Sequence, residues 1–209
     1  MTRIGVLASG RGSNFRALCE AQRRGELGGG AIVLLVVDKP GAGALAVAKE
    51  FNVEAVVLEP KAFPDRAAHD AAVADALVAR QVGLVCHAGY MRIVGPGYLA
   101  RFPNAVLNMH PALLPSFPGL HAQRQALAHG AKVAGATVHF VEEGVDTGPI
   151  VLQAAVPVLE GDTEEALSAR ILVEEHRLYP EAVRLFCAGR LRLDGRRARI
   201  LPAPAAVGA

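Results

Sequence analysis

The chain has 209 residues, 52% hydrophobic, 20% charged and 5% aromatic, which is enough for one packed domain and too apolar for wholesale disorder. A formal net charge of +2 is too small to suggest a nucleic-acid binder, although eighteen Arg stand against four Lys. Cys19, Cys86 and Cys187 are too few and too scattered for a disulfide framework or a zinc cluster, and the seven His fall into no metal-ligand spacing. No apolar run approaches the ~20 residues that cross a bilayer. Met1-Thr2-Arg3-Ile4 runs straight into a strand-like segment without a signal-peptide pattern, so a soluble cytoplasmic protein is expected.

In chain order, apolar runs at Ile4–Ala8, Ala31–Val37, Glu54–Leu58, Val82–Cys86 and Ala105–Met109 are nearly continuous, as in parallel strands buried on both faces. Between them, Asn14–Arg24, Ala42–Phe51 and Asp65–Arg80 have the spacing of crossover helices. This order predicts a doubly wound, mostly parallel α/β sheet. Pro111–Gly119 holds three prolines and reads as a long loop, of the kind that is more often functional than idle. A helix over Leu120–His129 and strands over Ala136–Val141 and Ile150–Val158 follow. Asp162 is expected to cap a helix with Glu165 at the capping-box position. That helix should run to about Ala188, with a break or kink at Pro180. Leu191–Leu193 and Arg199–Leu201 read as a hairpin on an Asp194-Gly195 type I′ turn. Ala203–Ala209 reads as a frayed tail. With no internal repeat and no linker, residues 1–202 read as a single domain.

The first strand leads through Ser9-Gly10-Arg11-Gly12-Ser13-Asn14 into a helix. Glycines let the backbone turn and present N–H groups, and the helix start adds positive potential, so the turn suits a phosphate. A dinucleotide fingerprint wants a third glycine where Phe15 stands, which argues against NAD and for one terminal phosphate. A plain strand-to-helix turn is the bland alternative.

Asn108 and His110, two apart at the end of the fifth strand, share a face. An amide donor beside an imidazole suits a reaction through an oxyanion, with Asn108 steadying charge and His110 moving a proton. Asp146, in the acidic loop Glu142 to Pro149, is either the carboxylate that polarises His110 or an ordinary turn residue. Such contact would lift the His110 pKa above its reference of ~6.5. No convincing nucleophile accompanies them; Cys86 reads as core. Direct attack by a substrate amine or water is therefore favoured. Met91, Ile93 and Val94 after the fourth strand either clasp a flat ring or belong to the core. Arg66 either meets a carboxylate or does nothing specific. Glu174-Glu175-His176 reads as a solvated helix stretch or as a contact for an amine.

Gly10 to Asn14, Ala88 to Ile93, Asn108 to Pro115, Pro118-Gly119-Leu120-His121 and Asp146 to Ile150, in that order and from Arg3 to about Gly189, resemble the phosphoribosylglycinamide formyltransferase family. The resemblance implies a Rossmann-like formyltransferase fold. It also implies transfer of the formyl group of 10-formyltetrahydrofolate, a co-substrate, to the amine of glycinamide ribonucleotide in de novo purine biosynthesis. By it, Gly12, Ser13 and Asn14 hold the ribotide phosphate and Glu175 receives the substrate amine, so the N-terminal half serves the ribotide. Met91, Arg92, Ile93 and Val94, with Glu142, Glu143, Gly144, Val145 and Asp146, form the pteridine pocket in the C-terminal half. Arg66 approaches the distal part of the folate. Asn108, His110 and Asp146 are the implied catalytic trio, in a monomer or homodimer with no metal, nucleic-acid or membrane partner. Leu172 departs from the family pattern, which places a polar residue near the ribotide. Methionyl-tRNA formyltransferase usually has an Arg-Gly turn where this chain has Phe117-Pro118-Gly119, and a second, basic domain. Formyltetrahydrofolate hydrolase normally has an N-terminal regulatory domain. A non-catalytic phosphosugar sensor would need the glycine loop without the trio.

Overall fold

The structure, a computed structural model, describes residues 1–203. The tail expected over Ala203–Ala209 lies, from Pro204 onward, outside the described residues. Strands β1 (Thr2–Ala8), β2 (Gly30–Val37), β3 (Ala55–Val57), β4 (Leu84–His87), β5 (Val106–His110), β6 (Val133–Phe140) and β7 (Ile150–Pro157) form one sheet in the order β3-β2-β1-β4-β5-β6-β7. The first five are parallel and the last two antiparallel, as a mostly parallel doubly wound sheet requires. The crossover helices are α1 (Ser13–Arg23), α2 (Ala44–Glu50) and α3 (Arg66–Ala79), and the short α4 (Pro96–Leu99) precedes β5.

Alternation along the strands builds a core on each face. Ile4, Val6 and Ala8 of β1 pack with α1, α2 and the C-terminal helix, whereas Leu7, with Leu34 and Val36 of β2, packs under α3 and α4. The order reverses between β1 and β4, so their carboxyl ends open the crevice in which such sheets bind ligands.

After α5 (Ala122–Ala128) and the antiparallel strands comes α6 (Glu164–Cys187), and the described chain closes with the β8 (Leu191–Asp194) and β9 (Arg197–Ile200) hairpin. Three local expectations are corrected here. The cap of α6 is Thr163, whose hydroxyl accepts from the Ala166 N–H, rather than Asp162. Asp162 instead accepts from the Leu159 N–H and takes a two-pronged bond from Arg170. The break expected at Pro180 does not occur, and α6 runs on because its flank is buried: Tyr179 and Ala182 are fully covered, and the Tyr179 hydroxyl lies 2.9 and 3.0 Å from the carbonyls of His87 and Leu107. That packing outweighs the roughly 3 kcal/mol by which a mid-helix proline disfavours the helix. Asp194 pairs with Arg197, so the hairpin turn is Gly195-Arg196, and positive φ at Gly195 alone fits type II′ rather than type I′. Among the described residues no helix is long and apolar enough to cross a membrane.

Candidate active site

Two clefts open at the carboxyl ends of the strands. The first follows β1. Ser9 is tied across the crevice, donating its N–H to the Gly89 carbonyl and accepting the Met91 N–H on its hydroxyl. Gly12 then caps α1 with φ +80°, and a Cβ there would stand 2.7 Å from the Ala44 Cα. Only glycine fits both the left-handed backbone and the approach of α2. The first intrahelical bond runs from Arg16 N–H to Gly12 carbonyl, leaving the Ser13, Asn14 and Phe15 N–H groups at the open end of α1. Gly12 and Ser13 line a cleft of about 410 Å³ with Arg11, Arg16, Leu172 and His176. Phe15 is fully buried core.

Asn14 and Glu175 are not in its wall but meet each other, both buried, with Asn14 Nδ2 donating to Glu175 Oε2 at 2.7 Å. Burial pushes the Glu175 carboxyl up and the Asn14 bond opposes it, for a net rise. A carboxyl raised on folding contributes stability that is full below its unfolded value of about 4.3 and lost as pH rises through the folded value. Glu175→Gln keeps the acceptor and removes the charge. It should therefore raise the melting temperature at neutral pH and give no gain near pH 4; a scan of Tm against pH checks this.

The second cleft follows β4 and β5. It is a cavity of about 690 Å³ lined by Met91, Arg92, Ile93 and Val94 on one side and by Glu142, Gly144, Val145 and Asp146 on the other, with Asn108 and His110 between them. Glu143 and Arg66 are not in its wall. Arg66 is exposed at the start of α3, its guanidinium beside Gly95, one residue beyond Val94. Met91 and Ile93 are 61% and 56% exposed, more than core residues would be, so they offer an open apolar surface.

His110 and Asp146 are in contact, with Nδ1 3.3 Å from Oδ2. The other ring nitrogen of His110, Nε2, faces the Phe117 carbonyl at 2.9 Å. A carbonyl only accepts, so Nε2 carries the hydrogen, and Nδ1 is the nitrogen that faces the carboxylate. Asp146 has φ +54° and also accepts from the Gly119 N–H at 2.8 Å, which ties the Pro111–Gly119 loop to the site. Thr137, buried in β6, holds the start of that loop through the Ala112 carbonyl and the Leu114 N–H.

The expected rise in the His110 pKa is overturned. Burial pushes it down, and this outweighs the upward pull of Asp146 and of the Phe117 bond, so the net direction is downward. For Asp146, burial pulls upward, but the neighbouring His139 imidazole, the Gly119 bond and the nearby His110 hold the carboxyl below its usual value.

Two histidines were invisible as site residues in the sequence. His139 lies opposite Asn108 in the antiparallel register of β5 and β6, with Nε2 3.1 Å from Asn108 Nδ2 and 3.5 Å from Asp146 Oδ1. Its Nδ1 donates to the Phe140 carbonyl, so Nε2 of the neutral ring accepts from Asn108. The second Asn108 hydrogen goes to Asp146 Oδ1 across a longer 3.4 Å. His87, at the end of β4, is driven down to about 3 by burial and then by His139, and its Nε2 meets the Tyr98 hydroxyl at 3.2 Å. Only the polarity of these two residues inside apolar strands could have flagged them.

The chain belongs to the formyl transferases: residues 2–183 match the family described as formyl transferase. Within it, the chain is similar to the phosphoribosylglycinamide formyltransferase of Mycobacterium tuberculosis, 45% identical over 196 residues, or 94% of this chain and 90% of the relative. The crystal structure of glycinamide ribonucleotide transformylase 1 from Symbiobacterium toebii matches with a TM-score of 0.95 at 57% identity, covering 97% of this chain and 95% of that one. The trifunctional purine biosynthetic protein adenosine-3 of Drosophila pseudoobscura pseudoobscura is 44% identical over 91% of this chain, which spans 14% of that relative's length.

Proposed function

We propose that the chain is a phosphoribosylglycinamide formyltransferase, passing the formyl group of 10-formyltetrahydrofolate to the amine of glycinamide ribonucleotide in purine biosynthesis. The observation that carries this reading is the Asn108–His110–Asp146 cluster in the wall of the apolar cavity, on a chain whose first strand ends in a glycine turn and open helix start. Gly12, Ser13 and Asn14 serve the ribotide phosphate, and Glu175 serves the ribotide amine end. The apolar wall of Met91, Ile93 and Val94 suits one face of a flat bicyclic ring, with the backbone of Glu142 to Val145 opposite and Arg92 and Glu142 as polar contacts. Arg66 and Glu143 fall to the outer, distal portion of the folate. The chain thus serves the ribotide with its N-terminal half and the formyl-folate with its C-terminal half, as one domain over residues 1–202. A cytoplasmic monomer or homodimer acting on small molecules fits this reading.

The amine adds to the formyl carbon, and charge gathers on the formyl oxygen. The Asn108 hydrogen held only at 3.4 Å by Asp146 is the one free to turn toward that oxygen. Nitrogen of the attacking amine then has a proton to lose. Neutral His110 takes it at Nδ1, directly or through one water, and Asp146 Oδ2 bonds the imidazolium that forms. The same proton goes to the folate nitrogen as the carbon–nitrogen bond breaks.

The direct test is to follow formyl-folate with and without the ribotide. Amine-dependent formyl transfer supports the reading, and rapid hydrolysis without the amine would replace it with a hydrolase. Because burial lowers the His110 pKa, the rising limb of turnover against pH should lie below ~6.5. A pH–kcat profile paired with an NMR titration of His110 checks this.

A further inference from the structure

The segment that carries Asp146 is held from two sides. Inside, its carboxylate meets Gly119, His110 and Asn108. Outside stands the turn of the β8–β9 hairpin, where Arg196 reaches across 49 positions to donate from Nη2 to the Thr147 carbonyl at 2.6 Å. Its Nη1 lies 3.9 Å from Glu142 Oε2, so one guanidinium spans both ends of the segment.

The two contacts differ in weight. The Glu142 pair is solvent-exposed and long, and such pairs contribute little. The carbonyl bond is short and charge-assisted. Apart from the inner contacts of the Asp146 carboxylate, the segment has little to hold it: Gly144 and Asp146 sit at positive φ, and its own side-chain bond, Thr147 hydroxyl to Glu143 carbonyl, is 3.5 Å long. Beyond its outer face lies a cavity of about 840 Å³ bordered by the hairpin. The hairpin itself is anchored, with β9 packed on β7. Thr147 follows Asp146 directly, so a bond that holds the Thr147–Gly148 peptide limits how far the loop, and Asp146 with it, can shift.

We propose that Arg196 is a positioning residue for formyl transfer: its bond to the Thr147 carbonyl holds Asp146 against His110 and Val145 against the formyl-folate cavity. This rests on reading Asp146 and His110 as the reacting pair. Arg197, the next residue, has no side-chain hydrogen bond or ion pair among the described residues and serves as the control.

Arg196→Ala, Arg196→Lys and Arg197→Ala in the full chain give the test, read by NMR titration of His110 and by steady-state kinetics in each substrate. Arg196→Ala should raise the KM for formyl-folate by about 3- to 10-fold, the factor for one hydrogen bond. It should also shift the His110 titration and the rising pH limb downward, leaving the ribotide KM and the melting temperature unchanged. Arg196→Lys, whose ammonium can still meet one carbonyl, should restore part of the loss, and Arg197→Ala should match the parent. A parental His110 titration and folate KM in Arg196→Ala would overturn the proposal. So would the same shifts in Arg197→Ala, which would trace them to hairpin charge, or a fall in melting temperature that Lys does not reverse. If Asp146→Asn keeps full turnover while Arg196→Ala still moves the His110 titration, the pin stands and only the catalytic reading falls.

Discussion

Asp146→Asn should lower turnover by about 10²–10⁴-fold, the range for losing acid–base assistance, with ribotide affinity nearly unchanged. The substitution keeps the shape and removes the charge. The Gly119 N–H at 2.8 Å requires an acceptor, so the new amide oxygen stays on the Gly119 side. Its NH₂ then faces Asn108 Nδ2, another donor, where a carboxylate oxygen had been. His110 loses more. A proton arriving at Nδ1 no longer finds a negative partner at 3.3 Å, while burial still opposes the charged ring. The His110 pKa, already below its ordinary value, should therefore fall further, and the rising limb of the pH–rate profile should move down with it. NMR titration of His110 in parent and mutant reads the first effect, and kcat against pH the second. A parental histidine pKa with full turnover would remove Asp146 from the mechanism. Glu142, which lines the same cavity, would be tested next, ahead of Glu143, which does not.

What the sequence made legible follows from what is local. Continuous apolar runs marked the parallel strands because a strand buried on both faces needs no alternation, although β3, at the sheet edge with Ala55 and Val57 exposed, is not buried in that way, and β5 does carry Asn108 and His110 on one face. The contact between His110 and Asp146 was not legible, since they stand 36 positions apart across an antiparallel turn and no pattern states where that turn folds back. His139 was hidden for the same reason: its meaning lies in facing Asn108 across the β5–β6 register. The direction of the His110 shift was misread because charge can be counted along a chain, whereas burial depends on everything packed around the ring. Glu142 and Glu143 looked equivalent, but in so tight a loop successive side chains leave in different directions, and only Glu142 reaches the cavity wall. Pro180 marked a break by its local chemistry, which the tertiary packing of α6 overrode.

Gly12→Val should abolish measurable ribotide binding and also weaken the fold. Two independent penalties meet at this position. A left-handed backbone disfavours an L residue by roughly 1–2 kcal/mol, and a β-branched one is the worst case. A Cβ would in addition stand 2.7 Å from the Ala44 Cα, a backbone atom that cannot swing away as a side chain would. Overpacking of this sort destabilises by about 1–3 kcal/mol. To escape, the turn must move away from α2, and it carries the Ser13 and Asn14 N–H groups with it. Two charge-assisted bonds to a phosphate, at about 1.5–3 kcal/mol each, would be misplaced together, which corresponds to at least ~100-fold in affinity. Gly10 provides the comparison, because it has ordinary φ and open space where its Cβ would stand. Gly10→Ala should keep the parent's melting temperature and bind the ribotide within a few-fold. Calorimetric titration with the ribotide, alongside thermal melts of both variants, separates a misplaced phosphate loop from general loss of structure. A folded Gly12→Val protein with parental affinity would take the phosphate away from this turn, and the basic side chains Arg11 and Arg16 in the cleft would then be the ones left to hold it.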